Sequence, residues 1–128
     1  MNPADSLVPS VLEMRWDRIG LGVRCAYNPQ GLGALHLYIQ FGRRLSRQQP
    51  HNEDGIQRRT LAVLLQTAAD EALPWPWRAA CLEQTAWPLA RLTSLWKGTP
   101  RHNAQTPAQL QARVQCVGEQ LGLPSKVS

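Results

Sequence analysis

Residues 19–42 read IGLGVRCAYNPQGLGALHLYIQFG, and whether they form strands or helices decides the fold. Ile19, Leu21, Val23, Cys25 and Tyr27 alternate with Gly20, Gly22, Arg24 and Ala26, the period-two pattern of a strand with one buried face. Asn28-Pro29-Gln30-Gly31 follows, a turn in which proline presets φ and glycine accepts a positive one. Beyond it Leu35, Leu37, Ile39 and Phe41 alternate with His36, Tyr38 and Gln40. The pattern predicts an antiparallel β-hairpin. A helix over residues 32–46 competes, because Leu32, Leu35, Ile39 and Leu45 also approach helical spacing. Local β-branched and aromatic content and the turn chemistry favour the strands. A lone hairpin is marginal in water, so its apolar face needs cover from helices or from a second copy, which leaves a homodimer through the hairpin open.

Outward from this stretch the chain turns helical. Residues 43–59, RRLSRQQPHNEDGIQRR, read as a polar connector with five arginines that runs into a helix start at Asp54. Over residues 54–73, Leu61, Leu64, Leu65, Ala68 and Ala72 share one side, and the apolar run 61–65 marks this as the central helix. Pro74 ends it, and Pro76 suits the first position of the next helix. Residues 77–97 read as one kinked helix or two short ones, interrupted at Pro88. The last helix has the clearest signals: Thr106 as cap, Pro107 at its first position, Gln109 completing a capping box, and Leu110, Val114, Val117 and Leu121 as its stripe.

The expected fold is therefore α+β and mostly helical, an N-terminal β-hairpin packed against three to four helices. It is read as a single domain over 1–128, with a flexible N-terminus (1–10), a short helix plus hairpin (11–42), a basic connector (43–53), a helical part (54–122) and a tail (123–128). A chain of 128 residues with 43% apolar and 18% charged residues is large enough for one core without staples. Its first residues lack the basic and apolar regions of a secretory signal, and no window is apolar enough to span a membrane. Cys25, Cys81 and Cys116 are odd in number and widely separated, which suits reduced thiols in a bacterial-type cytoplasm.

The formal charge is +5 and the isoelectric point about 9.7, with twelve arginines against two lysines. Arginine's planar fork fits phosphate, so nucleic acid, DNA or RNA, is the partner this balance suggests, although a GC-rich genome also favours arginine. Arg43, Arg44, Arg47, Arg58 and Arg59 are the candidate phosphate contacts, with Lys97 and Arg101 extending the strip. The last two helices make a poor helix-turn-helix, because their connector is long and the final helix carries little positive charge.

Four of the five tryptophans fall in residues 73–98. Trp77, Trp87 and Trp96 on one helix would differ by about 80° and 180°, so they share no face and make neither a base-stacking platform nor a membrane belt. Core packing is their leading role. Pro74-Trp75-Pro76-Trp77 is the exception, since a restricted backbone can present Trp75 and Trp77 to a protein partner at low entropic cost. That supports the alternative of a non-catalytic adaptor or chaperone-like subunit. His36, His51 and His102 lack metal-ligand spacing, Cys81 sits among Ala79, Ala80 and Leu82, and the adjacent carboxylates point in different directions. The reading expects no enzyme, no metal and no cofactor.

Overall fold

A computed structural model describes residues 10–27, 31–97 and 106–122. Within them the chain forms six α-helices: α1 (Val11–Arg24), α2 (Gly33–Gln48), α3 (Glu53–Ala69), α4 (Trp75–Glu83), α5 (Ala86–Trp96) and α6 (Pro107–Gln120), with a short 3-10 turn at Pro50–Asn52. Among the described residues there is no strand, so the expected α+β fold and its hairpin are replaced by an all-helical one. The hairpin edge that would have carried a homodimer goes with it. The connector expected over 43–53 is also corrected, because residues 43–48 belong to α2 and Glu53 opens α3. The N-terminal segment 1–9, three residues of the turn (28–30), the loop 98–105 and the tail 123–128 lie outside the described residues.

The physical reason for the correction lies in the spacing. Ile19 and Val23, or Leu35 and Ile39, stand four residues apart, a separation that fits both a strand and a helix. The residues that separate the two readings are Trp16, Gly20, Tyr38 and Gly42, all buried where strand alternation would put Gly20, Tyr38 and Gly42 on the polar side. Leu21 and Tyr27, expected on the buried face, are 68% and 89% exposed. In α1 the covered stripe is Leu12, Trp16, Ile19, Gly20 and Val23. A helix satisfies its backbone groups internally, whereas an isolated hairpin leaves two open edges.

The glycines let α1 and α2 close on each other. A Cβ on Gly20 would stand 2.8 Å from Tyr38 Cε1, and one on Gly42 would stand 3.2 Å from Trp16 Nε1. Between them the Trp16 and Tyr38 rings stack at 5.3 Å, and the Trp16 indole donates to the Tyr38 carbonyl at 3.1 Å. Ser10 caps α1 by accepting from the Glu13 N–H. The helix stops in a Schellman arrangement, Tyr27 N–H to Gly22 O and Ala26 N–H to Val23 O, with Ala26 at φ 49°.

As expected from its apolar run, α3 is central and packs against each of the other five helices. Its Ile56 and Leu64 enter a cluster with Trp16, Leu35, Leu45 and Trp77, and its Leu61, Leu65 and Ala68 enter a second with Leu92, Trp96 and Leu110. Each fully buried leucine contributes about 1.5–3 kcal/mol. The buried hydroxyls of Thr60 and Thr67 donate to carbonyls one turn back, which removes their desolvation cost. Residues 77–97 form two short helices rather than one kinked helix: Pro88 cannot donate to the Gln84 carbonyl and its ring would strike it, so α4 ends at Glu83. The capping box at Thr106 and Gln109 is formed as the sequence indicates, and Gly122 at φ 75° follows α6.

Candidate nucleic-acid interface

The five arginines singled out in the sequence do not form one strip. Arg43, Arg44 and Arg47 project from the outward side of α2, where His36, Gln40 and Gln48 are also exposed. Arg58 and Arg59 belong to α3 and are neutralised there. Arg58 pairs with Asp54 one turn back at 2.5 Å. Arg59 reaches α1, pairing with Glu13 at 3.5 Å and with Asp17, while its guanidinium lies 4.6 Å from the centre of the Trp16 ring. Lys97 is exposed just past α5, away from the α2 face in sequence and element, and Arg101 lies outside the described residues.

Why α2 stays uncompensated follows from the chain. No aspartate or glutamate occurs between Asp17 and Glu53, so α2 and the turns beside it contain no acid of their own. The carboxylates at both borders of that stretch are engaged from elsewhere. Asp17 is held by Arg59, and Glu53 receives a two-point contact from Arg91 of α5, Nε to Oε2 and Nη2 to Oε1, both at 2.7 Å. That contact, aided by Gln57, holds the Glu53 carboxyl below its ordinary range and raises the Arg91 guanidinium. Among the described residues Arg43, Arg44 and Arg47 therefore form no ion pair, and the guanidinium carbon of Arg43 lies 5.0 Å from the centre of the Trp87 ring.

Two further arginines, absent from the sequence-derived set, lie on α1. Arg15 and Arg18 are exposed on α1 and form no ion pair among the described residues. Arg15 shares with Arg44 a groove of about 220 Å³ between the first turns of α1 and the last turns of α2, lined also by Val11, Leu12, Phe41 and Gln48. The signal that would have found them is the helical wheel, on which Arg15 flanks the stripe of Leu12, Trp16 and Ile19 and Arg18 lies farther round toward the outward side, legible only once 11–24 is read as one long helix.

The Pro-Trp-Pro-Trp segment is the cap and first turn of α4, with Pro74 as N-cap. Trp77 is 1% exposed and its indole donates to the Val23 carbonyl of α1 at 2.9 Å, so it is not available to a partner. Trp75 is half exposed, and its indole ties the start of α4 to the Leu121 carbonyl after α6 at 2.8 Å. Trp96 likewise donates to Asp54, tying the end of α5 to the start of α3.

The remaining chemistry is structural. Cys81 is fully buried, and burial pushes its thiol up to about 12, which removes it as a nucleophile near neutral pH. A wider, shallow depression of about 560 Å³ is lined by Arg24, Gln66, Ala69, Asp70, Glu71 and Ala72. It is crossed by the Arg24–Asp70 ion pair at 2.7 Å, whose hydrogen bond holds the Asp70 carboxyl below its ordinary range. Among the described residues no three histidine, cysteine or acidic side chains stand together as a metal site, and no helix is long and apolar enough to cross a membrane. Comparisons of the chain with protein-family models, with curated proteins and with solved structures find no match.

Proposed function

We propose that the protein binds nucleic acid, its α2 face and the adjoining edge of α1 contacting phosphates through Arg44, Arg47, Arg15 and Arg18, with Arg43 beside them. One observation carries this reading: Arg15 and Arg44 share a groove and, with Arg47, form no ion pair among the described residues, while the carboxylates that border this stretch of the sequence are engaged by Arg59 and Arg91. Backbone contacts of this kind give affinity without sequence choice, which fits an accessory or regulatory role. The three free thiols fit a reducing cytoplasm.

The test is a titration of labelled oligonucleotide at two salt concentrations. Four phosphate contacts predict a log–log salt slope of about −2.8 to −3.6, so affinity should fall about 50- to 150-fold between roughly 50 and 200 mM salt. Replacing Arg44 and Arg47 together by glutamine should weaken binding to every sequence and flatten that slope by about 1.4–1.8. Absence of binding at the lower salt sinks the proposal, and so does a double variant that binds like the parent.

A protein adaptor is the second reading, and its surface moves from Trp77 to the outward side of α1. There Val11, Met14 and Leu21 are 68%, 57% and 68% exposed at i, i+3 and i+10, with Trp75 kept only as a half-exposed edge. Under that reading Leu21→Arg abolishes capture of a partner in pull-downs, and the Arg44/Arg47 double variant spares it.

A further inference from the structure

The groove between α1 and α2 has a composition that phosphate contact alone does not require. Leu12 and Phe41, partly buried and packed on the core cluster of Trp16 and Tyr38, give it an apolar part, beside the exposed Val11. Its walls each carry one arginine, Arg15 from α1 and Arg44 from α2, neither with an acidic partner among the described residues, and Gln48 adds an amide with both donors and an acceptor. At about 220 Å³ the groove is smaller than the roughly 300 Å³ at which pockets for drug-sized ligands begin, so it has room for one ring system and not for an extended molecule.

The geometry points to a single-stranded nucleic acid as the ligand, with one unstacked base seated against Phe41 and Leu12 and the two phosphates that flank it on Arg15 and Arg44. This rests on the nucleic-acid reading above and narrows it. An apolar seat between two cations matches a base between two phosphates, which a strand supplies at every nucleotide. A duplex keeps its bases stacked and paired, so it can reach the arginines and cannot fill the seat. One amide at the rim gives little choice among bases, so binding should be strand-specific and nearly sequence-neutral.

The deciding experiment keeps the protein unchanged and varies the ligand. Three labelled oligonucleotides of about 12 nucleotides, within the span one binding module covers, are titrated at low salt: a thymidine strand, the same strand with abasic sites throughout, and a hairpin duplex. Filling the seat should make the thymidine strand bind about tenfold or more tightly than the abasic strand, the range expected for one stacked base. Phe41→Leu keeps the apolar fill and removes the aromatic face, so it should pull that ratio toward one while leaving abasic affinity unchanged. Equal affinity for thymidine and abasic strands overturns the base seat and leaves the phosphate reading standing. If no oligonucleotide binds, both readings fall, and binding of a peptide with leucine between two glutamates would then assign the groove to a protein partner.

Discussion

Gly20 and Gly22 are two residues apart in the same helix, yet their surroundings predict opposite consequences of a methyl group. A Cβ on Gly20 would sit 2.8 Å from Tyr38, whose ring is buried and stacked on Trp16 and cannot retreat. Gly20→Ala should therefore destabilise by about 1–3 kcal/mol, reduced somewhat by the better helix propensity of alanine. At Gly22 nothing lies within 4 Å of the added atom, so Gly22→Ala should stabilise by about 0.5–1 kcal/mol. Urea midpoints measure both, and two substitutions of the same sign would contradict the helical packing of α1 on α2. In the sequence this pair looks like repeated hairpin glycine. Only the partner across the helix interface separates one from the other.

Between elements, the tie from Glu53 to Arg91 joins the start of α3 to α5, and Gln57 adds a link toward Ser46 of α2 at 3.4 Å. Glu53 is largely covered and Arg91 is about half exposed, so solvent screens part of the pair. Arg91→Met should cost about 1–2 kcal/mol at neutral pH after that discount. The Glu53 carboxyl is held down chiefly by its hydrogen bonds from Arg91, so its stabilisation is present above the unfolded carboxyl's value near ~4.3 and is lost as pH falls below it. The gap between the variant and the parent should thus close in acid, and a gap that persists at about pH 2 would show that lost packing, not charge, sets the cost. Element boundaries were legible where their chemistry is local: the Thr106–Gln109 box and the break before Pro88 can be read from neighbours alone, whereas α3 ends at Ala69, short of the stop expected at Pro74. The end of α1 could not be read this way, because its left-handed residue is Ala26 where a glycine would have announced the stop.

For the whole molecule, burial sets the alkaline limit of stability. Cys81 keeps its proton in the fold up to about 12, while an unfolded thiol loses it near ~8.5. The folded state then holds a proton that the unfolded chain releases, so stability is complete below that lower value and declines as pH rises. Burial also raises the Tyr38 phenol, which adds to the decline above the ordinary tyrosine value near ~10. Urea midpoints should fall through this range, and Cys81→Ala should flatten the first part of the fall. Superimposable pH profiles for the parent and the variant would remove the buried thiol from the explanation.

Composition and local pattern were sufficient for a mostly helical chain, for α3 as its centre, for the cap and stripe of α6, and for tryptophans that serve packing. These depend on interactions within a few residues or on one unbroken apolar run. Tertiary structure alone decided the conformation of residues 19–42 and the availability of the arginines. In the first case residues four apart satisfy strand and helix equally, and the choice came from Trp16 and Tyr38 meeting over Gly20 and Gly42. In the second, Arg59 is neutralised by Glu13 and Asp17, 46 and 42 residues away, and Glu53 is taken by Arg91, 38 residues away. Charge on a side chain is written in the sequence, but whether that charge is cancelled depends on which distant helix the fold sets beside it.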